Sequence, residues 1–303
     1  MQNILSAYGG QIAALSAAFL WAAVSFLFLR IREHISAMEL NLVKGLLAIV
    51  LLGGTSFLLR EPVDNIQQQG LILLLISGVI GIGIGDTAYF QALKDLGPRL
   101  ALLLMSLAPP IAAIIALIFL QETLSIWAWV GIFLAVGGIT WVVTERSNNR
   151  TKQIEPKHQV RGVIFGVLSA VGQATGVVMS RAVLTQTEIS SLQSAVLRLM
   201  AGAGFILVWL LLSHQPPGKW IHKKDAKKLW GWIITAAFFG TYLCLWLQQI
   251  SLDLAPAGIV QTLLSVSPLF VLPMAAMHGE KISVRAIFGA LVAFIGIYFL
   301  FAM

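Results

Sequence analysis

Charge is what this sequence has least of. Asp, Glu, Lys and Arg make up 11% of its 303 residues, against 58% hydrophobic ones, where a soluble domain carries about 25% charged residues. With a mean hydropathy of +0.87, a soluble globular chain is excluded. There is one cysteine, Cys244, which excludes an internal disulfide and a cysteine-ligated metal cluster. Residues 1–9 hold no Lys or Arg, so the cationic start of a cleaved signal peptide is missing and the first apolar segment is expected to stay in the mature chain. No H-E-x-x-H occurs, and His34, His158, His214, His222 and His278 all fall in loops or at the ends of apolar segments. Gly81-Ile82-Gly83-Ile84-Gly85 fits neither the G-x-G-x-x-G nor the Walker A spacing. No cofactor and no soluble ATP-binding domain is therefore expected. The short alternating segments of a membrane barrel are also lacking.

Long apolar windows are what the chain has instead. Tyr8 to Leu29, Leu100 to Gln121, Thr123 to Thr144, Gly162 to Ser180, Leu229 to Leu252 and Ala286 to Met303 are free of charge. Each is near the ~20 residues that a helix needs to cross the hydrocarbon core. The hydropathy pattern predicts an all-α integral membrane protein of ten spans, at about 10–29, 38–59, 70–93, 98–120, 125–144, 161–182, 191–213, 229–252, 256–277 and 285–302. The polar stretch from Glu145 to Arg161 divides them into halves, with a first repeat expected over 1–146, a cytoplasmic linker over 147–160 and a second repeat over 161–303.

The halves resemble one another. Asp95-Leu96-Gly97-Pro98 answers to Asp253-Leu254-Ala255-Pro256, and the same offset carries Pro110 to Pro268, Glu122 to Glu280, Ser125 to Ser283, Gly131 to Gly289 and Gly138 to Gly296. Among the earlier helices Ser16-Ala17 matches Ser169-Ala170, and Lys44 matches Arg198. Five spans per half is an odd number, so the second half enters the membrane from the opposite side and the repeats are inverted, the build of a secondary transporter. Lys and Arg gather in the loops after spans 1, 3, 5, 7 and 9. The positive-inside rule then places both termini outside the cytoplasm, in what is expected to be a bacterial plasma (inner) membrane. That same clustering makes the net charge of +7 a matter of topology rather than of a nucleic-acid partner. The run Lys219 to Lys228, edged by Trp220 and Trp230, reads as a topology anchor or as a segment lying on anionic headgroups. Ser77, Gly81 and Gly85, Gly162 and Gly166, and Gly172 and Gly176 recur four apart, which lets helices approach closely in lipid.

These features together resemble the drug/metabolite transporter superfamily in its EamA-like branch, over nearly the whole chain. The resemblance rests on a proline early in a helix, an apolar run, then Glu, a turn and a Gly-containing helix: Pro110, Glu122, Gly131 and Gly138, and again Pro268, Glu280, Gly289 and Gly296. Leu20-Trp21 is similar to the family's aromatic first-helix motif. The resemblance implies export or exchange of a small metabolite, amino-acid-like or otherwise polar, by alternating access. Many relatives are thought to keep both termini in the cytoplasm, whereas the charges here argue the reverse.

Three charged residues lie well inside the predicted spans: Lys44, Asp86 and Arg198. A charge at that depth costs from ~2.5 kcal/mol upward and needs a partner or a watery cavity. Lys44 and Asp86 stand at similar depth on the cytoplasmic side, so either they pair or Lys44 snorkels to the headgroups. Arg198 occupies the Lys44 position of the second half, yet Cys244 stands where Asp86 would be and cannot neutralise it. It is expected either to fork onto a substrate anion or to bond backbone carbonyls or Glu188. Asp86 is the leading candidate should protons drive transport, a role that competes with a static pair. Trp21, Gln173, Tyr242 and Trp246, with Tyr89 and Gln261 nearer the span ends, complete a candidate substrate pocket, since amides and phenols orient a polar solute while rings cover its apolar part.

Glu122 and Glu280 are expected to be structural, in turns ahead of Ser125 and Ser283, which are placed to cap spans 5 and 10. Pro110 and Pro268 are expected to kink spans 4 and 9 by freeing the carbonyls of Ser106 and Leu264, while Pro98 and Pro256 start helices. The spans offer one aspartate and no activated nucleophile, which argues against an intramembrane enzyme. A scaffold would need neither inverted repeats nor a polar midplane. Multidrug or cationic-compound efflux is the alternative transport reading. The expected partners are a small-molecule substrate, membrane lipid and protons as candidate coupling ion, with monomer and homodimer both open.

Overall fold

A backbone in lipid satisfies its polar groups internally only as a helix or a closed barrel, and this chain takes the first course. The computed structural model describes residues 2–31, 34–61, 67–144, 156–213, 226–277 and 283–301. Among these, ten apolar helical spans are long enough to cross a membrane: Tyr8–Ser25, Met38–Leu58, Gln68–Gly97, Leu100–Phe119, Ile126–Val143, His158–Gln186, Ser191–Leu212, Lys227–Leu254, Ala257–Met274 and Val284–Phe301, here spans 1 to 10. Large apolar side chains such as Val50, Phe57, Phe119, Ile126 and Tyr298 point outward, whereas Lys44, Arg198, Gln249, Gln261 and several serines are buried. That is the inside-out distribution that lipid selects. Residues 145–155, 214–225 and 278–282, which hold most of the expected linker, most of the Lys219 to Lys228 run, and Glu280 with His214, His222 and His278, lie outside the described residues. The helix of span 6 begins at Pro156, so the last residues of the expected linker are helical.

Small caps start the helices. Ser36 and Ser190 open spans 2 and 7 with capping boxes completed by Glu39 and Gln193. Ser125 accepts from the Ala128 N–H at 3.2 Å and Ser283 from the Ala286 N–H at 3.1 Å, the caps expected for spans 5 and 10. Gly97, at φ 79°, turns the chain between spans 3 and 4 in a conformation that only glycine adopts freely.

The prolines act differently from the expected kinks. Span 4 stops at Met105 and restarts at Ala108, and span 9 stops at Leu264 and restarts at Ser267. Pro109 and Pro110 therefore lie in the first turn of a new segment, and Pro268 is its second residue. There the missing N–H is one that a helix start leaves unpaired anyway. The freed Leu264 carbonyl accepts the Ser267 hydroxyl at 2.9 Å. Each repeat thus carries a broken helix at the same place. A second matched irregularity is π-helical, over Val79–Asp86 in span 3 and Phe238–Leu243 in span 8. Such bulges add a residue to a turn and tend to mark functional sites.

Glycines set the distances between spans. A Cβ on Gly81 would meet the Gly176 Cα at 3.5 Å, and one on Gly172 would meet the Gly85 Cα at 3.3 Å. Spans 3 and 6 therefore interlock through their small residues, tied by Ser77 Oγ to Gly176 O at 2.6 Å and Ser169 Oγ to Gly85 O at 2.8 Å. Across spans 5 and 10, Gly131 faces Gly296 and Gly138 faces Gly289. These are the repeat-related glycines exchanged: each position contacts the counterpart of the other. That reciprocity is the signature of a two-fold axis, here relating the two repeats.

Candidate functional site

The site is built where the broken and bulged helices meet. A cavity of about 220 Å³ is lined by residues of both repeats, among them Trp21, Asn41, Lys44, Asp86, Tyr89, Gln173, Arg198, Thr241, Cys244, Gln248, Gln261 and Pro268. The π-helical stretch of span 3 ends on Asp86 and that of span 8 ends just before Cys244. The two positions that correspond in the repeats both line the same space.

The three intramembrane charges converge there without pairing directly. Among the described residues no ion pair within 4.0 Å joins Asp86 to Lys44 or to Arg198, although both cations lie close enough for their charges to act on it. The expected Lys44–Asp86 contact is replaced on both sides. Asp86 Oδ1 accepts the Gln173 amide at 2.5 Å, and that amide also donates to the Gly81 carbonyl at 3.2 Å. Lys44 is 3% exposed, so it does not snorkel, and its Nζ lies 4.6 Å from the Phe28 ring centroid. Arg198 is 1% exposed, and its Nε and Nη1 have no hydrogen-bond partner among the described residues. Neither the expected backbone carbonyls nor Glu188 takes them. Three further buried polar atoms on the lining share that condition: Asn41 Nδ2, Thr241 Oγ1 and Gln261 Oε1. A buried polar group without a partner costs roughly 1–3 kcal/mol, and four lining side chains carry polar atoms that the described residues leave unsatisfied.

Of the expected pocket residues, Trp21, Tyr89, Gln173, Arg198 and Gln261 line the cavity together with Lys44 and Asp86. Tyr242 and Trp246 do not. The Tyr242 hydroxyl is 2.8 Å from Thr55 Oγ1, and its ring packs on Trp246 at 6.0 Å. The helical repeat explains this: residues two from Cys244 point to the opposite side, whereas Thr241 and Gln248, three and four away, share its face. Asn41, Thr241 and Gln248 carry the sequence signal that was missed, namely polar residues three or four from Lys44 and Cys244 on the same face. Pro268 lines the cavity, while Pro110 does not.

Glu122 lies elsewhere and holds the fold. Its Oε1 accepts Arg181 Nε at 2.7 Å and its Oε2 accepts the Ala257 N–H at 3.0 Å. It therefore caps span 9, a carboxylate at the positive end of a helix of the other repeat, while Ser125 caps span 5. Arg181 Nη1 in turn donates to the Leu252 and Asp253 carbonyls at 2.6 and 2.8 Å, closing the end of span 8. At the other end of span 6, Arg161 forks onto Asp95 at 2.7 and 2.8 Å, beside the turn between spans 3 and 4.

Comparison with known proteins agrees with this architecture. The pattern of the EamA-like transporter family matches residues 9–144 and 160–302. The chain is similar to the "Uncharacterized transporter YyaM" of Bacillus subtilis (strain 168), 25% identical over 257 residues that cover 84% of this chain and 80% of the relative. A protein of known crystal structure superposes with a TM-score of 0.79 over 97% of this chain and 98% of its own at 13% identity, a likeness of fold alone.

Proposed function

We propose, from the premise that this chain belongs to the EamA-like transporter family, that its central cavity is the solute site of a secondary transporter working by alternating access. The solute is a small organic metabolite that bears an anionic group, amino-acid-like in its simplest form. The observation that carries this reading is the buried guanidinium of Arg198, two of whose nitrogens have no protein partner while it lines the cavity. A planar fork of that kind matches a carboxylate or phosphate. Two cations, Lys44 and Arg198, face one carboxylate, Asp86, across the lining. The balance favours a guest with net negative charge or a zwitterion, its ammonium toward Asp86 and the Gln261 carbonyl oxygen. Trp21 and Tyr89 supply apolar cover for the rest of the solute.

Asp86 is the one carboxylate that lines the cavity among the described residues, which makes it the group through which protons would couple. The matched helix breaks at Ser106 and Ser265, both on the lining, give each repeat a joint at the site, in keeping with rocking of one repeat against the other. The membrane is taken to be the plasma membrane, with both termini outside the cytoplasm on the positive-inside argument.

The test is a thermal-shift screen of the purified protein against amino acids, nucleosides, sugar phosphates and cationic drugs, followed by counterflow of each hit in proteoliposomes. A carboxylated or phosphorylated hit that the protein exchanges across the bilayer is the expected result. Stabilisation by cationic drugs alone would remove the anion-site reading.

A further inference from the structure

We propose that Lys44 acts as a tethered guest in an aromatic cage and so determines specificity, keeping free organic cations out of the cavity. The inference rests on the reading of the cavity as a solute site. Lys44 Nζ stands 4.6 Å from the Phe28 ring centroid, 5.9 Å from Trp21 and 6.0 Å from Phe90. Trp21 and Phe28 lie two turns apart on the first helix with their ring centroids 5.6 Å from one another, and Phe90 comes from span 3. Trp21 and Phe28 thus stand side by side next to the ammonium, with Phe90 added from another helix. Clustered rings of this kind are how proteins take up methylated ammonium ligands, the ring faces supplying the negative end of the quadrupole.

In this molecule the chain supplies the cation itself. The Lys44 ammonium has no hydrogen bond or ion pair within 4.0 Å among the described residues, while three rings lie within 6.0 Å of it. A tethered group is present at high effective concentration. A free organic cation must therefore displace it while meeting the added charge of Arg198 on the same lining. Taking away the Lys44 charge leaves the rings open and Asp86 nearby as the counter-charge. The same cavity then suits an organic cation. One side chain thereby separates the anion-selective reading from the cation-efflux reading of a single scaffold.

Cys244, the sole cysteine of the chain, lines the same cavity and serves as reporter. The purified full-length protein is labelled with neutral methyl methanethiosulfonate, with and without tetramethylammonium, and with neopentyl alcohol as the uncharged control of similar shape. In the wild type and in Lys44→Arg, tetramethylammonium is expected to leave the labelling rate unchanged. In Lys44→Ala, and in Lys44→Gln run beside it should the alanine variant not fold, the probe is expected to slow labelling about tenfold. Adding Phe28→Leu should abolish that protection, and neopentyl alcohol should protect none of them. Free labelling of Cys244 in both uncharged variants without tetramethylammonium protection would overturn the cage and leave the solute-site reading standing. So would equal protection of the wild type. A Cys244 that reacts in none of these proteins would remove the solute-site reading, and this inference with it.

Discussion

A guanidinium held almost wholly away from solvent, with two nitrogens unbonded by protein, is costly for a marginally stable molecule. Arg198 bears that cost on the wall of the cavity. Replacing it by glutamine removes the fork and keeps an amide. Affinity for a carboxylated solute is expected to fall roughly 10–100-fold, the worth of a charge-assisted hydrogen bond, as read by ligand-dependent melting shifts. An unchanged affinity would take Arg198 out of the site. Tyr242 makes the opposite case. Its hydroxyl meets Thr55 and its ring faces span 2, so Tyr242→Phe should cost about 1 kcal/mol of stability and leave solute affinity within experimental error. A marked loss of affinity would mean that the bulge in span 8 can rotate Tyr242 inward.

Among the helices, close backbone approach is the binding principle, because lipid gives apolar side chains no reason to leave it. A Cβ on Gly138 would stand 2.5 Å from the Gly289 carbonyl oxygen, whereas one on Gly53 meets nothing within 4 Å. Gly138→Val should therefore melt far below the wild type or fail to accumulate, and Gly53→Ala should melt within a degree or two of it. Comparable melting of the two would contradict the packing of spans 5 and 10. The ends of span 6 offer a second contrast. Arg181 bonds Glu122 and two carbonyls with only 14% of its side chain exposed, whereas the Arg161 side chain is 44% exposed. Arg181→Ala strips a carboxylate and the end of span 8 of their partner and is expected to cost about 3 kcal/mol. Arg161→Ala should shift the melting curve much less, since exposed ion pairs contribute little.

At the scale of the whole molecule, the exchanged glycine contacts of spans 5 and 10 make the repeats two copies of one unit about a shared axis. The ten spans among the described residues, an even number, put both termini on the same side, and the loop charges predict the side outside the cytoplasm. A phosphatase reporter fused to the C-terminus should be active, as it is only outside the cytoplasm, and a cytoplasmic fluorescent reporter at the same place should be dark. The reverse pattern would invert the orientation and leave the fold intact.

The number and length of the spans, the five-plus-five repeat and the family were legible in the sequence because hydropathy and motif spacing are local, additive properties of the chain. Lys44, Asp86 and Arg198 were legible for the same reason: a charge inside an apolar window stands out wherever it points. What those charges touch was decided only in three dimensions. Gln173 and Phe28 reach Asp86 and Lys44 from other helices, Glu122 caps a helix in the opposite repeat, and the rotation of span 8 presents Thr241 and Gln248, not Tyr242 and Trp246, to the cavity. A sequence states which residues lie along a helix, but the rotation and partner of that helix follow from packing against every other span at once.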